Sequence, residues 1–189
     1  MNFPRILKKR KGYIDRIKPF MQKSVVKVLT GQRRVGKSFL LYQLIEEILA
    51  EEPDANIIYV NLEDFTFSSL QTAEDLHSYI ISHSKEKVKN YIFIDEIQDI
   101  PGFEKVIRSL LLNEDNDIYI TGSNAKMLSG ELATYLSGRY IEFKIYSLSY
   151  SEFLEFHGLT ESETSYELYS RYGGLPYLLN LPLEDETVN

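Results

Sequence analysis

Residues 25–49, VVKVLTGQRRVGKSFLLYQLIEEIL, decide the reading of this chain. They open on an apolar, β-branched run at 25–30, of strand length and with no turn residue inside it. Glycines at 31 and 36 break the run, and a helical stripe follows, with Leu41, Leu44, Ile45, Ile48 and Leu49 at three- and four-residue spacing. Strand, glycine-flanked turn and amphipathic helix form the first half of a βαβ unit.

Working outward, further strands are expected at 56–61, 91–95, 117–121 and 140–145. Each is mostly apolar rather than alternating, as in strands covered on both faces. A second helical stripe runs through Phe103, Val106, Ile107, Leu110 and Leu111, leaving Glu104, Lys105 and Arg108 for solvent, and Pro101-Gly102 stops whatever precedes it. From about residue 146 the pattern becomes helical only. Ser149 and Glu152 have capping-box spacing at the start of a helix over 150–156, and a second helix over 162–172 ends at Gly173-Gly174. The expected organisation is an α/β core at 1–146 and a small helical cap at 147–189.

Composition narrows the function classes. Among 189 residues, 43% are apolar and 26% charged, ordinary values for a globular chain. There is no cysteine, which excludes disulfides and thiolate metal sites, and the three histidines are too scattered to pair as ligands. A formal net charge of −7 argues against a general nucleic-acid binder. Lys8-Lys9-Arg10-Lys11 is the exception, and it reads more readily as a solvated start than as a phosphate-backbone contact. No run approaches the ~20 apolar residues of a membrane helix, and no signal-peptide core follows the N-terminus. The expectation is a cytoplasmic protein with no membrane partner. Eight of the 14 tyrosines lie between Tyr135 and Tyr177 and are expected mostly to pack the core and cap.

The turn itself carries the chemistry. Gly31-Gln32-Arg33-Arg34-Val35-Gly36-Lys37-Ser38 fits G-x-x-x-x-G-K-[S/T], the Walker A pattern. Average residue usage makes a chance match a roughly 1% event in a chain this long. Glycines let the backbone curl so that successive N–H groups face one anion, and the helix N-terminus adds its positive end. Lys37 is expected at the β- and γ-phosphates of ATP and the Ser38 hydroxyl on Mg²⁺. The nucleotide-contacting set is Gly31, Arg33, Arg34, Val35, Gly36, Lys37, Ser38 and Phe39. Arg33 and Arg34 add charge without a catalytic assignment.

Four apolar residues at 91–94 then deliver Asp95 and Glu96 to a strand's C-terminal end, where open α/β sheets bind ligands. Asp95 is expected to hold Mg²⁺, and Glu96 to polarise an attacking water. A solvated acidic turn is the bland alternative, disfavoured by the loop upstream. After the strand at 117–121, Gly122-Ser123-Asn124 places small polar groups nearby. Asn124 is the first choice for sensing the γ-phosphate and Ser123 the second, although either also suits a helix N-cap. Arg139, after Gly138, is a candidate to stabilise transferring phosphoryl charge in its own subunit or a neighbour's, or else forms a surface ion pair. Glu63-Asp64 is a weaker acidic candidate. Residues 13–20, with Tyr13 and Ile14, either cover the base or form a packing helix.

With these segments in order, the chain resembles the prokaryotic AAA-type P-loop ATPases related to the origin-recognition and signal-transduction branches. The resemblance rests on 31–41, IDEIQDIPGFEKVIRSL (94–110), YITGSNAKML (119–128), LSGRYIEF (136–143), SLSYSEFLEF (147–156) and YGGLPYLL (172–179). It implies a three-layer sandwich on a mostly parallel five-stranded sheet in the order 5-1-4-3-2. It also implies Walker B at Asp95-Glu96, the sensor residue at Asn124 and the family's arginine at Arg139. Such proteins usually continue past the Gly-Gly-x-Pro segment, so an excised module lacking a further C-terminal region is expected.

The reading is an ATP hydrolase that couples Mg²⁺-dependent turnover to conformational change, with a homo-oligomer or a partner protein possible. A nucleotide switch with little hydrolysis is the alternative. A small-molecule kinase is less favoured, because residues 147–181 hold only Arg171 as an arginine, and no N-K-x-D sequence marks a guanine reader. The process served and any nucleic-acid partner stay open.

Overall fold

The structure is a computed structural model and describes residues 8–123, 135–136, 138–180 and 183. Five strands form one sheet: β1 (Val26–Thr30), β2 (Asn56–Asn61), β3 (Asn90–Asp95), β4 (Asn116–Gly122) and β5 (Tyr140–Lys144). Their order is β2-β3-β4-β1-β5 and every pairing is parallel. This is the expected order read from the other edge.

Six helices are described: α1 (Lys11–Ile17), α2 (Lys37–Glu51), α3 (Ala73–His83), α4 (Phe103–Leu110), α5 (Tyr150–His157) and α6 (Glu163–Tyr172). Because side chains alternate along a strand, the sheet feeds two separate cores. Val26, Val28, Ile92, Ile94, Ile118 and Ile120 meet Leu76 and Ile80 of α3 and Val106 and Ile107 of α4 on one face. Leu29, Tyr59, Phe93, Tyr119 and Phe143 meet Ile14 and Ile17 of α1 and Leu41, Leu44 and Ile45 of α2 on the other. The result is a three-layer sandwich. Each fully buried aliphatic side chain contributes about 1.5–3 kcal/mol relative to exposure, so these clusters dominate the fold's stability.

One expectation needs correction. β5 is not covered on both faces: Phe143 is buried, whereas Glu142 and Lys144 are exposed, as befits an edge strand. Within residues 13–20 the chain is helical to Ile17, with Ile14 buried in the core and the Tyr13 hydroxyl accepting a hydrogen bond from Tyr146 N. Helix α3, which has no assigned stripe above, begins with a Thr72–Asp75 capping box.

The two helices after β5 follow the sequence pattern closely. Ser149 and Glu152 form both bonds of the capping box at α5. Ser162 caps α6, and Gly173 ends it at positive φ. Tyr150 packs against Tyr166 and Tyr169, and the Tyr169 hydroxyl donates to Leu148 O at 2.9 Å. Tyr135, Tyr146, Tyr166 and Tyr177 nevertheless remain exposed. The basic run at 8–11 is not simply solvated: Lys9 bonds Glu47, Lys8 bonds the Glu155 carbonyl, and Arg10 is buried against Glu152. At the sheet's far end Lys27 is fully buried and ion-paired with Asp117, with its ammonium 4.3 Å from the Tyr119 ring centroid. Among the described residues no helix is long and apolar enough to cross a membrane.

Candidate functional site

Parallel strands all end on the same edge, so the loop after β1 and the ends of β3 and β4 share one side of the molecule. There a cleft of about 680 Å³ opens, lined by Gly36, Lys37, Ser38, Phe39, Glu96, Arg33 and Arg34 together with Pro176 and Tyr177 from the chain's end.

The loop's shape follows from its glycines. A side chain on Gly31 would run into the Ile145 carbonyl, which β5 brings alongside through the Ile145 N to Thr30 O bond. Gly36 stands at φ 94°, in the region that favours glycine, and serves as the N-cap of α2 without a side chain to cap it. The helix therefore starts with no carboxylate or hydroxyl cap and no acid in its first turn, unlike α3 and α5. Its first N–H groups and its positive end are left for an anion. Arg34 also takes positive φ, and its guanidinium lies 5.6 Å from the Tyr177 ring centroid.

Lys37 is buried at the base of the cleft. Its ammonium donates to Gln32 O at 3.1 Å and Gly31 O at 3.3 Å, and it stands 3.2 Å from Glu96 Oε1. Glu96 itself sits at φ 54°, an uncommon position for a residue with a side chain. Its other oxygen, Oε2, accepts from Gln98 Nε2 at 2.7 Å and from Ser123 N at 3.1 Å, while its N–H bonds Thr121 Oγ1 at 3.0 Å. Burial pushes this carboxyl up, but Gln98, Lys37 and Ser123 together outweigh it and hold it below the ordinary range.

Asp95 is the opposite case. Burial dominates and raises it above the usual carboxylate range, against the lowering effect of hydrogen bonds from the Ser38 and Thr121 hydroxyls. Two adjacent carboxyls are thus driven apart by their surroundings, one readily ionised and one reluctant. Tyr59 stands 3.3 Å from Asp95 and has its hydroxyl pushed upward, chiefly by burial.

A buried carboxyl in contact with a hydroxyl at the head of an anion-ready helix is a hard-oxygen donor set, and it fits a small divalent cation beside phosphate. The residues expected to contact nucleotide and metal are therefore gathered at one place. Phe39 is half exposed at the rim, stacked edge-on against Tyr42. Glu63 faces the cleft and is paired with Arg33 at 3.3 Å, whereas Asp64 caps the turn at Phe65–Phe67 by accepting from Thr66 N. Asn124 lies outside the described residues. Arg139 is not brought to this cleft. Val26 pairs with Tyr140 and Thr30 with Lys144, so Arg139 lies at the opposite end of the sheet from the loop. The separation is about six residues, roughly 20 Å of strand.

Two groups were missed by sequence reasoning. Thr121 bonds both Asp95 and the Glu96 backbone, and Gln98 holds the Glu96 carboxylate. A polar residue ending an apolar strand beside the acidic pair is the signal that points to Thr121.

The AAA domain family profile matches residues 23–154. An uncharacterised Haemophilus influenzae protein is 41% identical over 178 residues, covering 88% of this chain and 43% of its own length. The chain thus spans less than half the length of the curated relatives it matches. Among solved structures it is similar to domain III of the Thermotoga maritima replication initiation protein DnaA, with TM-score 0.61, 13% identity, and coverage of 92% of this chain and 82% of that one. It is also similar to AMPPCP-bound DnaA from Aquifex aeolicus, with TM-score 0.55, 13% identity, and coverage of 95% and 61%. At such identities these likenesses speak to the fold alone.

Proposed function

The chain belongs to the AAA domain family, and on that footing we propose that it hydrolyses Mg²⁺-bound ATP and couples turnover to movement of its cap. The carrying observation is the convergence of the uncapped α2 N-terminus, Lys37 and the Asp95-Glu96 pair on one cleft. The loop N–H groups and Lys37 bind the phosphates. Ser38 and Asp95 hold the cation, which when bound supplies neutralisation of phosphate charge. Glu96 takes a proton from the attacking water, held in aim by Gln98 and Ser123 N. It is available for this once phosphate draws Lys37 away from Oε1. Pro176 and Tyr177 lie against the loop, which gives phosphate occupancy a direct route to the cap.

The place of Arg139 supports a role at a neighbour's cleft, and so a homo-oligomeric active form. A second reading is favoured by the Lys37–Glu96 contact: a nucleotide switch in which Glu96 stays engaged and turnover is slight. Phosphate release from Mg²⁺-ATP, measured per chain across a range of protein concentrations, separates the two. The hydrolase reading expects a rate per chain that rises with concentration. No release at any concentration leaves the switch.

A further inference from the structure

Arg10 precedes α1 and lines the cleft, yet it is only 5% exposed. Its five N–H donors are all placed. Nε bonds Glu152 Oε1 at 2.8 Å and Nη2 bonds Glu152 Oε2 at 2.9 Å, a two-point grip on the first turn of α5. The remaining donors reach Tyr146 O at 2.8 Å, Ser147 O at 3.4 Å and Val35 O at 3.2 Å. The Arg10 N–H bonds Gln43 Oε1 on α2 at 3.0 Å, and the guanidinium lies 4.5 Å from the Tyr13 ring centroid.

We propose that Arg10 is a positioning residue that presets the 31–38 loop and ties it to the cap. A loop that turns its N–H groups toward an anion must have its carbonyls satisfied elsewhere: Lys37 takes those of Gly31 and Gln32, and Arg10 binds that of Val35. The same planar group holds the segment entering α5 and the α5 capping glutamate, so a shift of the loop is felt at the cap through one rigid fork. Lysine cannot reproduce this, because its ammonium is a single point without the fork. Glu152 does double service, accepting from Ser149 N at 2.9 Å in the capping box as well. Glutamine keeps that box, so Glu152→Gln removes the charged grip on Arg10 while leaving the helix start intact.

The inference rests on the nucleotide reading of the loop, and two measurements on the full chain separate the claims. In amide hydrogen exchange without nucleotide, Glu152→Gln should raise exchange over 33–38 severalfold, although Glu152 bonds no residue of that loop. Adding Glu152→Gln to Arg10→Lys should raise it no further than Arg10→Lys alone. Loop exchange equal to the parent's in Glu152→Gln overturns the coupling. In titrations with the fluorescent analogue mant-ATP and Mg²⁺, Arg10→Lys should weaken binding about tenfold, within the usual range for coupled sites, while its thermal unfolding stays cooperative. Affinity equal to the parent's overturns the preset. A parent that binds no mant-ATP refutes the nucleotide reading and leaves the exchange result to decide the tie between loop and cap.

Discussion

Lys37 Nζ stands 3.2 Å from Glu96 Oε1, so the lysine assigned to phosphate and the carboxylate assigned to water are each other's partners. Phosphate must compete with Glu96 for the lysine. Replacing Glu96 with glutamine removes the competing charge, so Glu96→Gln should bind ATP severalfold more tightly by calorimetry. The same variant should lose about 10²–10⁴-fold in turnover, the usual contribution of a positioned base. Turnover at the parent rate would remove Glu96 from the mechanism.

Asp95 gives a pH signature with a definite sign. Its folded pKa is raised, chiefly by burial, so between the unfolded value and that raised value the folded chain holds more protons than the unfolded one. Stability contributed at this site therefore increases as pH falls through the raised pKa and is lowest above it. Without Mg²⁺, Asp95→Asn should melt at a higher temperature than the parent at neutral pH, and the gap should close as the solution is acidified. Mg²⁺-dependent nucleotide binding should disappear in the same variant. Differential scanning calorimetry across pH checks the first and titration the second.

Lys27 and Asp117 pair at the opposite end of the sheet, away from the cleft. Both are fully buried, and Asp117 also accepts from Tyr119 OH and Gln22 N, each at 2.8 Å. Removing one partner strands a buried charge, so Asp117→Ala should cost about 3–5 kcal/mol in urea unfolding. Among properly folded molecules, nucleotide affinity should be unchanged.

Arg139 precedes β5, at the end of the sheet away from its own cleft. Arg139→Ala should leave ATP affinity intact and lower turnover. Mixing it with Glu96→Gln should restore part of the activity, because a mixed interface pairs an intact arginine with an intact glutamate. Failure of rescue at every concentration would assign Arg139 to structure.

Most of the frame was legible because buried parallel strands and amphipathic helices leave strong periodic marks: all five expected strands match within one residue at each end. The edge exposure of Glu142 and Lys144 was not legible, since burial of an edge depends on which strand lies beyond it. Within the site, residues adjacent in sequence were readable, as with Lys37-Ser38 and Asp95-Glu96. Contacts joining distant segments were not. Nothing local to Arg10 marks it as the partner of Glu152, 142 positions away, and nothing local to Arg139 says which end of the sheet it occupies.

The central claim is that the loop from Gly31 to Ser38 binds a nucleoside triphosphate through Lys37. Calorimetric titration of the parent and of Lys37→Ala with ATP in the presence of Mg²⁺ tests it most directly. The parent should give a saturable binding isotherm, and the variant should lose measurable heat with its fold intact by circular dichroism. Equal affinity in the two proteins would contradict it.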